Sequence, residues 1–218
     1  QCAVKSVAGP MARRVEDLKL VLKVWCSERM WGVDTLVPPI RWDDSVCSSA
    51  KKLRFGYFTH DNYFDPCPAA IRAVKEAAEK LRKDGHEVVE FKYDFSEIAW
   101  SFVKLMSAEG GMRGFVEGLE GEALNPIYHF LYKTSKMPVM VRPLVSKIME
   151  TIGQPRIGRL VREARWRDTY DYWKAHGEMQ LQKKDLIKKW EELKLDAMIC
   201  PGGGVPAIPH TMSGKLAQ

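Results

Sequence analysis

The residues best placed to do chemistry are concentrated in one segment. Arg156, Arg159, Arg162 and Arg165 recur at every third position beside an apolar stripe of Ile157, Leu160, Val161 and Ala164. Just upstream, Leu144, Val145, Ile148, Met149 and Ile152 fall at helical spacing, and Gly153-Gln154-Pro155 breaks the helix between the two stripes. From Lys133 to Arg167 there are nine Lys and Arg against two acids, Glu150 and Glu163, a local excess of +7 in a chain whose net charge is +6. The basicity therefore belongs to this segment, since the remaining residues sum to −1. Such cation rows meet phosphate. Three arrangements fit two short amphipathic helices with arginines at the margin. They form an ordinary hairpin packed on a core with a solvated basic face, an interfacial membrane anchor with its apolar face in the acyl boundary, or a nucleic-acid patch. A nucleic-acid patch wants aromatics or polar base readers among the arginines, and only Trp166 qualifies.

Elsewhere the signals for catalysis are thin. A nucleophile needs an oriented base beside it, and His60, His86, His129, His176 and His210 sit in unrelated contexts. His60-Asp61 lies at the end of an expected strand, where ligand loops occur in α/β sheets; the simpler expectation is a turn in which Asp61 bonds its own backbone. Cys200 reads as the last apolar residue of a buried strand. Gly110-Gly111-Met112-Arg113-Gly114 and Gly202-Gly203-Gly204 lack the spacings of the phosphate-binding motifs. No HExxH motif and no acidic metal cluster is present. Cys2, Cys26, Cys47, Cys67 and Cys200 are odd in number, widely spaced and without a CxxC pair, which favours a reducing compartment.

The elements that must position these residues suit a folded domain: 218 residues, 45% hydrophobic and 28% charged. No apolar run reaches the ~18 residues that cross a bilayer, and the stretch QCAVKSVAGPMARR lacks the pattern of a secretory signal. A helix is expected from about Arg13 to Cys26, apolar over most of its surface and so buried. Trp31 to Pro39 reads as a loop. Strand Leu53–Phe58, helix Ala69–Lys83 with Gly85 at its C-terminal cap, and strand Glu87–Phe91 form a βαβ-like unit. A helix carries Trp100, Val103, Leu105 and Met106, a long one spans roughly Trp166 to Lys194, and Leu195–Cys200 is a short strand. The tail Met212–Gln218 is polar. The expected class is α/β: part of a mixed twisted sheet flanked by helices, with a projecting amphipathic hairpin.

Several of these segments resemble one family, the amidase-signature hydrolases. Gly9-Pro10-Met11-Ala12-Arg13 followed by Val15-Glu16-Asp17-Leu18 is similar to its GPMAR…VEDL segment. Gly32-Val33-Asp34 with Pro38-Pro39 resembles the loop after it, and Arg54-Phe55-Gly56-Tyr57-Phe58 with Asp61 and Pro68-Ala69 its strand–loop–helix. Leu195-Asp196-Ala197-Met198-Ile199-Cys200-Pro201 resembles its LDxLLxP strand, so the likeness covers essentially residues 1–218. Asp61-Asn62-Tyr63, Val37-Pro38-Pro39, Ser107-Ala108 and Pro155-Arg156 are similar to the membrane-associated branch that hydrolyses long-chain fatty acid amides.

That resemblance implies that residues 139–167 form a membrane-binding cap at the mouth of an acyl channel. Leu144, Ile148, Ile152, Arg156, Ile157, Arg159 and Arg162 would meet the membrane, and Met112, Leu160 and Ala164 would lie on the channel wall. It implies a fatty acyl amide substrate, the cytoplasmic face of an internal membrane, no cofactor, no metal and no nucleic acid, with a homodimer among the partners. The family's Ser–Ser–Lys triad sits in a Gly/Ser-rich stretch and upstream of it. No GGSSGG-like run occurs here, Ser6 is not in that context, and no lysine takes the role. The expectation is a middle-to-C-terminal part of an amidase that supplies channel wall and cap, has no catalytic residue and is inactive alone. A family member with another amide substrate and no membrane, and a non-catalytic lipid-binding module, remain open.

Overall fold

The structure, a computed structural model, describes residues 4–5, 7–34, 37–48 and 51–209, with the backbone only at 47 and 48. Cys2, Ser6, the side chain of Cys47, His210 and the tail Met212–Gln218 lie outside the described residues. The chain divides into two compact units, Lys5–Lys52 and Leu53–Gln218 with Gln1–Val4.

The smaller unit holds α1 (Val15–Trp25), α2 (Glu28–Val33) and α3 (Ser45–Ser48). Glu16 and Asp17 in the first turn of α1 and Lys23 in its last complement the helix dipole. The expectation that α1 is buried is overturned, because none of its residues is buried, and Val15, Leu20 and Val24 are exposed. A unit this short lacks the mass to cover a helix that is apolar on most sides. The loop expected from Trp31 also begins later, since α2 runs through Val33.

The larger unit contains β1 (Arg54–Tyr57), α4 (Pro68–Lys83), β2 (Glu87–Glu90), α5 (Ser96–Met106), α6 (Arg113–Glu117), α7 (His129–Lys136), α8 (Arg142–Thr151), α9 (Pro155–Glu163), α10 (Thr169–Glu192) and β3 (Ala197–Ile199). The three strands form a parallel sheet in the order β2-β1-β3, with Phe55 opposite Val88 on one side and Ala197 on the other. Parallel neighbours require a crossover, and α4 supplies it between β1 and β2. Pro68 opens α4 where its missing N–H costs nothing. Gly85, at φ 87°, closes it: its N–H donates to the Arg82 carbonyl and that of His86 to Leu81, a Schellman cap.

Val74 and Ala78 of α4, Trp100 and Leu105 of α5, Phe91 and Leu195 are buried as the core. Phe91, 1% exposed, contributes roughly 2–3 kcal/mol by leaving water. The long helix begins at Thr169 instead of Trp166, because the Asp168 side chain accepts from the Asp171 N–H as N-cap and the Arg167 N–H is taken by the Ala108 carbonyl. The last strand stops at Ile199. Cys200 is exposed and not a buried strand residue, since β3 is an edge strand and the chain leaves the sheet there.

Candidate functional site

The hairpin is built around a buried cation. Arg142, at the start of α8, is 2% exposed. Its Nη1 donates to the carbonyls of Val161 (2.6 Å) and Ala164 (2.7 Å), its Nη2 to Thr134 (2.7 Å) and Ser135 (3.2 Å), and its Nε to Met137 (3.0 Å). These carbonyls are at the C-terminal ends of α7 and α9, where helices leave acceptors without intrahelical donors and carry partial negative charge. One guanidinium thus caps two helices. Burial pushes its pKa below the ordinary arginine value, and the charge of Arg165 adds to this. Close packing of α8 on α9 rests on Gly158: a Cβ there would lie 2.7 Å from the Ser146 carbonyl oxygen.

The two helices of the hairpin send their apolar residues to different places. On α8 and just after it Leu144, Ile148 and Ile152 are 66%, 49% and 62% exposed, and the 3₁₀ turn Val139–Val141 before α8 presents Met140 at 92%. On α9 and just after it Val161 is 2% exposed, Ala164 is buried, and Ile157 and Leu160 are half-buried.

The arginine row is engaged within the protein. Arg156 stacks over the rings of Phe64 (3.9 Å) and Tyr63 (5.1 Å). Arg159 lies 4.7 Å from the Trp100 ring centroid, and its Nη2 donates to both Glu97 oxygens at 2.7 and 2.8 Å. Arg162 is 3.7 Å from Glu150, Arg165 3.4 Å from Asp171, and Arg167 3.1 Å from Glu163. Arg167 also donates to the carbonyls of Lys104, Glu163 and Arg165; burial lowers its pKa first, with Arg165 adding to the shift. Local counting could not find the acids Glu97 and Asp171, which come from α5 and α10. Nothing in the sequence marked Arg142 as buried.

Beyond the C-terminal ends of β1 and β3 a crevice of about 250 Å³ is lined by Phe58, Thr59, Asp61, Phe64, Pro201 and Gly203, among others. Such crevices outside the strand ends are where open α/β sheets bind ligands. The Asp61 carboxylate accepts from the N–H groups of Tyr63 and Phe64, both at 2.8 Å, so the expected turn is present. The Cys67 N–H donates to the Gly204 carbonyl and ties the Gly-rich loop to the other wall. Since Arg156 sits on Phe64, the first turn of α9 reaches the crevice rim.

Beside it, at the end of β2, lies an open basin of about 630 Å³ with Tyr93, Asp94, Asp185 and Lys189 on its walls. Burial, with a hydrogen bond to Asp185, raises the Tyr93 pKa; hydrogen bonds from Ser96 lower that of Asp94.

Met112, Leu160 and Ala164 do not line this crevice. Met112 is half-buried at φ 53° in a loop whose Ala108 carbonyl holds the Arg167 N–H, which puts that loop beside the C-terminal end of α9. Among the described residues, no helix is long and apolar enough to cross a membrane, and no three His, Cys, Asp or Glu side chains converge as metal ligands.

The Amidase family profile matches residues 1–218. Fatty-acid amide hydrolase 1 of Sus scrofa is 30% identical over 218 residues, covering 99% of this chain and 37% of that protein. Fatty acid amide hydrolase 1 of Caenorhabditis elegans is 28% identical over 213 residues, covering 96% and 37%. An acetamidase of Aspergillus oryzae is 24% identical over 222 residues, covering 96% and 36%. The chain therefore spans little more than a third of the length of these relatives. A solved fatty acid amide hydrolase superposes with a TM-score of 0.69 at 23% identity, over 95% of this chain and 32% of that one, which shows a shared fold. With the profile matching from first residue to last, the chain belongs to the amidase family.

Proposed function

We propose that this chain forms the acyl-channel wall and the membrane-facing cap of an amidase that hydrolyses long-chain fatty acid amides at the cytoplasmic face of an internal membrane. The observation that carries this reading is the exposed apolar face of α8, with Leu144, Ile148, Ile152 and the neighbouring Met140 turned away from a hairpin that Arg142 holds rigid. A large apolar patch on a well-packed element suits an apolar partner. The contact of Arg156 with Phe64 links the cap to the strand-end crevice, so an acyl tail leaving the bilayer would meet α9 before the crevice. Leu160 on α9, Ala164 just after it and Met112 on the adjoining loop would form the wall along that route. Each methylene buried there contributes about 0.8 kcal/mol, which favours long acyl chains.

Hydrolysis in the family's manner uses a lysine acting through a bridging serine on a nucleophilic serine, and no residue of this chain is assigned those roles. The purified chain is expected to bind vesicles and to show no amide hydrolysis. Hydrolysis by it, or failure to co-sediment with vesicles, would refute the respective half of the proposal. A second reading, a family member for another amide away from membranes, draws on the acetamidase relative and is preferred if vesicle binding is absent.

A further inference from the structure

The sequence presents the basic segment as one cation stripe, and an interfacial helix pair of that kind seeks anionic headgroups. The side-chain partners say otherwise. Of the nine Lys and Arg between 133 and 167, only Lys133 and Lys147 have no ion-pair, carbonyl or ring partner among the described residues; even Lys136 sits over the Tyr132 ring. Arg159 is the deepest commitment of the exposed row, with a bidentate carboxylate on one side and an indole face on the other. Offering it to a phosphate would strip Glu97 of its partner and open the contact between α5 and α9. By contrast, the outward face of α8 and the turn before it is apolar through Val139, Met140, Leu144, Ile148 and Ile152, interrupted by Lys147 and Thr151.

Building on the membrane reading above, we infer that the hairpin docks on an uncharged lipid surface through α8 and its preceding turn, and that the arginine row of α9 is an internal seam. The docking partner is a zwitterionic bilayer surface whose acyl boundary takes the apolar face; anionic headgroups add little. Each free basic side chain near an anionic surface raises binding about fivefold. Two free lysines then give about a thirtyfold preference for anionic lipid, whereas a stripe of +7 would give about a hundred-thousandfold.

The test is co-sedimentation of the 218-residue chain with vesicles of phosphatidylcholine alone and of phosphatidylcholine with a minority of phosphatidylserine. It is run at about 0.15 M and about 1 M salt, where the screening length falls from about 8 to about 3 Å. The inference predicts binding to pure phosphatidylcholine that persists at high salt. It also predicts a gain from phosphatidylserine of at most about thirtyfold, removed by Lys133→Ala with Lys147→Ala and untouched by Arg159→Ala or Arg162→Ala. Binding only to the anionic vesicles, or a gain that either arginine variant removes, overturns the inference and leaves the membrane reading standing. Absence of binding to both kinds of vesicle overturns the membrane reading and the inference with it. Arg162, with its side chain about half exposed, keeps the arginine arm decisive if Arg159→Ala does not fold.

Discussion

Helices α8 and α9 have similar amphipathic patterns in sequence and opposite fates in the structure. Leu144 and Ile148 of α8 face outward, while Val161 of α9 is sealed and Leu160 half-sealed. What separates them is the company each keeps. A glycine at 158 brings α9 close under α8, and its arginines, with Arg165 just after it, find Glu97, Phe64, Trp100 and Asp171 on other elements. On α8 the one cation that turns inward, Arg142, is spent on helix-end carbonyls. Periodicity fixes which residues share a face; the destination of that face depends on residues distant in the chain.

If α9 is the structural partner and α8 the free one, substitutions should sort by size along that divide. The largest effect is expected for Arg142→Met, which removes the donors of five carbonyls at once. A loss of at least about 3 kcal/mol in chemical denaturation is predicted, with Arg142→Lys recovering less than half, since an ammonium has fewer donors and no fork. A change under about 1 kcal/mol would show that the clamp does not hold the hairpin.

Next comes Gly158→Val. Its new Cβ would meet the Ser146 oxygen, a backbone atom, at 2.7 Å, and overpacking of this kind costs about 1–3 kcal/mol. An unchanged denaturation midpoint would mean that the two helices can part freely.

Arg159→Ala follows, at about 1 kcal/mol: the pair with Glu97 is partly solvated and worth less than its geometry suggests, with the Trp100 contact adding to it. A double-mutant cycle with Glu97→Gln separates the two contributions, and a coupling near zero would remove the seam. Leu144→Ser stands at the far end, within about 0.5 kcal/mol of the parent chain, because its side chain touches solvent in the free protein. A loss of 2 kcal/mol or more, of the order expected for a buried leucine, would place that face in the core.

Local features were legible from sequence. The cap at Gly85, the Asp61 turn and the βαβ crossover appear where residue types require them, since each depends on a few neighbours in the chain. The apolar pattern predicts a long helix from Trp166, and it starts three residues later because a loop carbonyl at Ala108 captures Arg167, a partner that lies far back in the chain. The burial expected of α1 failed since apolar composition says what a helix would bury, not whether its unit has mass to bury it. The partners of the arginine row were not legible in the same way: a window from 133 to 167 counts nine cations and cannot see Glu97 or Asp171. The family segments, by contrast, were readable as such, and the profile match over 1–218 bears them out.

The most direct measurement is vesicle co-sedimentation of a Leu144→Ser, Ile148→Ser, Ile152→Ser variant alongside its denaturation midpoint. Three apolar side chains at roughly 1.5 kcal/mol or more each predict a loss of at least about a thousandfold in binding to phosphatidylcholine vesicles, with the midpoint unmoved. Retained binding, or a collapse in stability, would contradict the account.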